Sequence, residues 1–364
     1  MKKILFCVLL LYGNLALAQQ ARHYSIEANY FYGNIAEHNP NISHLITGHP
    51  EGLLLHFNQR TYGLQAWERR YNYPDVGFSF SYQNLKNPYL GENYGLYGHL
   101  GFYFLKRHLL LKVGQGLAFT TNPYDGDDNY QNNAYGSRIL SSTIFTGNLQ
   151  FEKLIGGLGF QVGLSMIHYS NADFKSPNSS TNTLALSAGA NYIFERHTEM
   201  QYIPKDPKMP FSAPFRYNFV LRSGVNTTGV IGSKKYPFLT LSAYADKQLT
   251  HKSTLQGGLE FFFSRALEEY IYYQSVAFPQ GKTSGDEDSK RAGIFLGHQL
   301  SFNKLSLITQ LGYYFYYPYE NYADQVYSRL GLQRSIDKNF FASVTVRSHG
   351  ANAEAVEFSL GYRL

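Results

Sequence analysis

The chain is poor in cysteine, tryptophan and charge. It has one Cys and one Trp in 364 residues, and charged residues make up 16 %, against about 25 % in an average soluble domain. A lone Cys cannot pair within the chain, which excludes a disulfide scaffold. Low charge combined with 16 % aromatics excludes disorder. Long apolar runs are missing too. Beyond the first 20 residues no stretch approaches the roughly 18 residues of a membrane helix, and the mean hydropathy is −0.31. Good helix formers do not dominate. Gly occurs 33 times, Tyr 32 times and Phe 27 times, and all three are weak helix residues. HExxH, GxSxG, a P-loop and a GxGxxG following a strand are all absent.

The first residues address the chain out of the cell interior. Lys2 and Lys3 precede an apolar core from Ile4 to Leu11, and Ala16-Leu17-Ala18 supplies small residues before an expected cut near Ala18. This pattern predicts a secretory signal peptide over 1–18. Cys7 lies inside its apolar core, so the mature chain is expected to carry no Cys and no Cys-based metal site. Loss of Lys2 and Lys3 takes the net charge from +6 to +4. So mild a balance suits anionic lipid heads and predicts no nucleic-acid partner.

The mature chain is dominated by a period of two. Val356, Phe358, Leu360, Tyr362 and Leu364 alternate with Ala355, Glu357, Ser359, Gly361 and Arg363. Leu255, Leu259, Phe261 and Phe263 alternate with Thr254, Gln256, Gly258 and Glu260. The runs are about 10 to 14 residues long, more than the usual 5 to 6 of a soluble sheet, and long enough to cross a bilayer as strands. One face is apolar and the other polar, as a membrane barrel requires. Parity turns Lys112, Glu260, Glu357 and Arg363 inward. Sixteen strands are predicted, and tight turns such as Lys106-Arg107 and Asn303-Lys304 alternate with long polar loops at 35–50, 121–137, 172–182 and 265–289, with two connections, 61–74 and 196–215, breaking the rule.

The predicted fold is therefore an all-β, antiparallel transmembrane β-barrel of about 14–16 strands, with two eight-stranded barrels in tandem as the alternative. Residues 19–195 form its first portion, and 196–364 add strands that complete the same barrel. A spacer at 196–215 with Pro204, Pro207, Pro210 and Pro214 divides the strands eight and eight. No helix longer than about three turns is expected beyond the leader. The strand that ends the chain should run to Leu364.

Chemistry concentrates in Leu158 to Asn182. Leu158, Phe160, Val162, Leu164 and Met166 share the lipid face of one strand, and the same parity carries His168 and Ser170. Ten residues of a strand tilted by about 40° climb roughly 25 Å, which sets the pair at the outer rim of the hydrocarbon. An imidazole and a hydroxyl facing lipid have a cost there, and His as base with Ser as nucleophile is a working esterase pair. His-x-Ser alone is a weak signal, because His23-Tyr24-Ser25 repeats it at the opposite side. Asp125, Asp127 and Asn129 form a D-x-D-x-N fragment without the Gly and Glu of a calcium loop, and it reads as a solvated loop. His56, His99 and His298 read as ordinary barrel histidines. No metal and no cofactor is expected.

His168-Tyr169-Ser170-Asn171-Ala172, followed by Lys175, Pro177 and Asn178, resembles the lipid A 3-O-deacylase (PagL-type) / acyloxyacyl hydrolase family of outer-membrane barrels. The motif match covers residues 168–182, and the looser barrel resemblance covers 23–195. The resemblance implies a serine esterase of the Gram-negative outer membrane that releases an ester-linked acyl chain from lipid A or a related outer-leaflet lipid. It implies Ser170 as nucleophile, His168 as base, and Asn171 or Asn178 as oxyanion donor. It places the family's orienting Glu at Asn182, where an amide stands instead; Asp173 is the other candidate for that role. The competing reading is a non-enzymatic barrel, either a channel or a structural protein.

Overall fold

The computed structural model describes residues 23–194, 201–207, 210–350 and 352–364. The leader, with its expected cut, lies outside the described residues. Sixteen strands are present among the described residues, all paired antiparallel. The first eight are β1 (His23–Ile35), β2 (Glu51–Arg60), β3 (Asp75–Asn84), β4 (Glu92–Phe104), β5 (Leu109–Thr120), β6 (Ile139–Ile155), β7 (Leu158–Ser170) and β8 (Thr181–Ile193). The second eight are β9 (Phe215–Asn226), β10 (Tyr236–Gln248), β11 (Ser253–Ser264), β12 (Arg291–Phe302), β13 (Leu305–Tyr316), β14 (Val326–Ser335), β15 (Phe340–His349) and β16 (Asn352–Arg363).

The alternation of side chains produces the walls. Along β7, Leu158, Phe160, Val162 and Leu164 are exposed on the outside, and Gln161, Ser165 and Ile167 are buried within. Leu186 on β8 and Leu296 on β12 reach 69 % and 75 % exposure. Apolar residues at that exposure make sense only against lipid.

Two closed barrels of eight strands replace the single barrel of 14–16 strands, and the tandem alternative is the architecture adopted. The reason is a pairing between distant strands. β8 lies against β1 from Ser25↔Ile193 to Ile35↔Thr183, and this seam leaves no free edge for β9. β16 closes on β9 in the same way, from Phe358↔Ser223 to Arg363↔Asn218. The strands after 196 therefore form a barrel of their own instead of completing the first. β16 ends at Arg363, one residue short of the expected end.

Both lumens are filled by polar side chains that bind one another. In the first, Lys112 Nζ lies 2.9 Å from Glu27 Oε1, and Asn58, Gln161 and Asn29 extend the network. His56 and His99 share Ser79, at 2.7 and 2.6 Å. In the second, Arg329 Nη1 lies 2.9 Å from both oxygens of Glu260, and its Nε lies 2.5 Å from Glu357. The inward parity of Lys112, Glu260 and Glu357 is as expected, and Arg363 turns in to meet Asp246 at 3.2 Å.

The long connections gather at one end of each barrel, except the β2–β3 connection at 61–74, which lies at the short-turn end. Two α-helices occur among the described residues: α1 (Ala66–Arg70) at the short-turn end and α2 (Arg265–Ala277) at the long-loop end. At thirteen residues α2 slightly exceeds the expected three turns. Ser264 caps it through the Leu267 N–H, and Leu267 and Ile271 bury against Tyr319. The barrels touch at both ends. At the short-turn end Tyr71 Oη donates to Ser301 O at 3.0 Å, and Asn303 Nδ2 donates to Gln65 Oε1 at 2.9 Å.

Candidate active site

The site is built where β7 and β8 leave the wall at the long-loop end. Register places His168 directly opposite Asn182. Both residues continue the outward face of their strands, after Met166 and before Leu184 respectively. The imidazole Nδ1 lies 2.7 Å from Asn182 Oδ1. An N–H donated from Nδ1 to that carbonyl fixes the tautomer and leaves Nε2 as the acceptor. Asp173 takes no part in this contact; its carboxylate Oδ1 accepts from Thr227 Oγ1 at 3.3 Å.

Ser170 is two residues further along the same face, and only 6 % of it is exposed. The loop that follows folds over it. Its Oγ accepts the Ala172 N–H at 2.9 Å and donates to Asn178 Oδ1 at 3.1 Å. The same Asn178 oxygen accepts the Asn171 N–H at 2.8 Å, and the Asn171 side-chain amide donates to Lys175 O at 2.6 Å. The hydroxyl is thus held by Asn178, not by His168. Ala172 and Asp173 have φ of 51° and 62°, the left-handed turn that brings the loop back across the strand end.

Sequence reasoning missed the residues that hold this loop from outside. His38 Nε2, on the β1–β2 connection, lies 3.1 Å from Ser179 O and 3.0 Å from Ser180 Oγ. The N–H groups of Ser179 and Ser180 donate to Asn133 O and Ala134 O of the β5–β6 loop. Gly136 packs so closely under Lys175 to Pro177 that a Cβ would strike the Lys175 carbonyl. From the second barrel, Thr227 and Lys235 reach the loop. None of these contacts has a local sequence signal.

The other motifs lie elsewhere. His23 and Ser25 face the lumen of the first barrel at the short-turn end, where Ser25 Oγ accepts from Asn58 at 3.2 Å. Asp125 folds its own loop, its carboxylate accepting from the N–H groups of Asp127 and Asp128. His298 bonds Ser253 at 2.7 Å.

Comparison with known proteins agrees with the division into two barrels. Residues 51–191 match the family model of lipid A 3-O-deacylase (PagL), and residues 215–364 match that of the acyloxyacyl hydrolase C-terminal domain. A solved structure described as the outer membrane enzyme PagL is 18 % identical; the match covers 45 % of this chain and 97 % of that one, with a TM-score of 0.33. A porin of Rh. blastica is 9 % identical over 94 % of this chain and 99 % of its own, with a TM-score of 0.19. Neither structural likeness carries an argument about activity. No curated protein matches the chain.

Proposed function

The chain belongs to the PagL family of lipid A 3-O-deacylases, and we propose that it is an outer-membrane serine esterase that hydrolyses an ester-linked acyl chain of lipid A or a related outer-leaflet lipid. The observation that carries the reading is the outward-facing His168, bonded through Nδ1 to Asn182 at 2.7 Å and two residues from Ser170 on the same face of β7. Acyl chains arrive laterally at that face, and their esters lie at the height of the rim.

In the proposed mechanism Ser170 Oγ attacks the ester carbonyl carbon, and its proton passes to His168 Nε2. For this the hydroxyl rotates from Asn178 toward the imidazole, a tightening that free enzymes often require. Asn178 keeps its oxygen on the Asn171 N–H, so its Nδ2 edge is the donor available to the developing oxyanion, and Asn171 can contribute its side-chain amide by leaving Lys175. Preorganised donors of this kind supply a large part of the barrier reduction in acyl transfer. The imidazolium then gives its proton to the departing alkoxide of the sugar. Water, deprotonated by the same imidazole, releases the fatty acid from Ser170.

A channel would need an open lumen, and the Lys112–Glu27 and Arg329–Glu260–Glu357 contacts cross both lumens. The test is mass spectrometry of lipid A from Gram-negative cells expressing the wild type or Ser170→Ala. Loss of one acyl chain with the wild type alone supports the reading, and identical lipid A in both refutes it.

A further inference from the structure

The loop over Ser170 has two anchors of different origin. Its second half, Ser179 and Ser180, hangs on the β5–β6 loop of its own barrel. Its tip, residues 173–176, is held by the other barrel. Thr227 opens the β9–β10 turn and is 1 % exposed. Its Oγ1 accepts the Gly229 N–H at 3.3 Å, donates to Asp173 Oδ1 at 3.3 Å and lies 2.9 Å from Ser176 Oγ. A hydroxyl has one proton, so with that proton on Asp173 the Ser176 hydroxyl donates to Thr227. At the far side of the same turn, Lys235 Nζ sits 3.4 Å above the centroid of the Phe174 ring.

Asn171 and Asn178 flank this tip. The Asn171 side chain is tied to Lys175 O, inside the tip, and Asn178 follows Ser176 by two residues. Any slack at 173–176 is therefore transmitted to the two amides nearest Ser170. Both contacts come from the barrel that carries none of the candidate catalytic residues.

We propose that the β9–β10 turn of the second barrel is a positioning element for hydrolysis in the first, with Thr227 and Lys235 fixing the loop tip so that Asn171 and Asn178 stay aligned on the reacting carbonyl. This rests on the reading of Ser170 as nucleophile. The first barrel then holds the chemistry, and the second sets the rate at which the loop can perform it. Misplacing a catalytic group by about 1 Å costs on the order of a hundredfold, and a buried hydroxyl with three partners controls displacements of that size.

The experiment is steady-state kinetics of the full chain on purified lipid A in detergent micelles. The variants are Thr227→Val, Thr227→Ser, Lys235→Ala, Lys235→Arg and Ser170→Ala. Thr227→Val should lower kcat roughly ten- to hundredfold and leave KM within about twofold, because binding is not what it disturbs. Thr227→Ser should restore the rate. Lys235→Ala, on an exposed side chain that puts folding at no risk, should lower kcat several-fold, with Lys235→Arg restoring it. Wild-type kcat in Lys235→Ala and in folded Thr227→Val, with Ser170→Ala inactive, overturns the positioning role and leaves the hydrolysis standing. Turnover by Ser170→Ala overturns both.

Discussion

Asn182 Oδ1 lies 2.7 Å from Nδ1 of His168 and directly opposite it in the β7–β8 ladder. An amide thus occupies the place where the family resemblance puts a carboxylate. It can accept the Nδ1 proton and hold the ring, but it brings no charge to balance an imidazolium.

That distinction makes Asn182 the most informative position to change. Asn182→Ala removes the acceptor and should lower kcat on lipid A roughly 10²-fold, a few kcal/mol for a preorganised partner. Asn182→Asp and Asn182→Glu keep an acceptor and add charge, so both should equal or exceed the wild-type rate. An Asn182→Ala rate equal to wild type would show that the imidazole orients itself.

Ser170→Ala and His168→Ala should each abolish acyl release while the barrels remain folded, because nucleophile and base act as a unit. His23→Ala and Ser25→Ala repeat the same substitutions in the other His-x-Ser, which faces the lumen at the opposite end. Fatty-acid release from all four, compared by mass spectrometry, should separate into two silent enzymes and two of wild-type rate.

Asp173 should make the loop sensitive to pH. Its carboxyl is pushed from 3.8 up to about 7, chiefly by burial, with the Thr227 hydroxyl opposing the shift and the charge of Glu354 adding to it. Between those values the folded chain holds a proton that the unfolded chain releases. Its stabilising contribution is therefore complete below about pH 4, falls as pH rises, and is gone above about pH 7. Hydrogen exchange of residues 171–180, corrected for intrinsic rates, should show less protection at pH 8 than at pH 6. Asp173→Asn preserves the shape and tolerates the left-handed φ of 62°, and it should remove the difference.

Arg329 is fully buried between Glu260 and Glu357. Arg329→Ala removes the closest cation from two buried carboxylates and leaves them only the longer pairs with Arg222 and Arg347, so it should cost at most about 3–5 kcal/mol, read as a lower urea midpoint in micelles. Double substitution with Glu260→Gln should recover part of the loss. A midpoint unchanged in Arg329→Ala would mean that Arg222 and Arg347 balance both carboxylates without it.

The strands and the orientation of their faces were legible because lipid outside and polar contacts inside impose a strict period of two. Leu164 out and Gln161 in need nothing but parity. The closure into two barrels was not, because Ser25↔Ile193 is a pairing of distant residues and periodicity carries no information about which strand meets which. The prolines at 204, 207, 210 and 214 marked the division without deciding it. His168, Ser170, Asn171, Asn178 and Asn182 were readable from one short segment, and the structure brings His168 to Asn182 and Ser170 to Asn178. Thr227 and His38 were not, because they reach the loop only once the chain has folded around it.

The seam between β1 and β8 has a consequence for how the chain assembles. Its most separated partners, Ser25 and Ile193, both precede the first strand of the second barrel, which begins at Phe215, so that cylinder can seal while the rest is still unstructured. A sixteen-strand wall would have had to keep its first edge open until its last strand arrived. The thermodynamic saving is small, since doubling a loop adds only about 0.6 kcal/mol of closure entropy. The kinetic saving is large, since an unsealed edge is a template for pairing with another chain. Two short closures therefore shorten the interval in which a nascent chain is open to aggregation, and they make each half a separate unit of insertion.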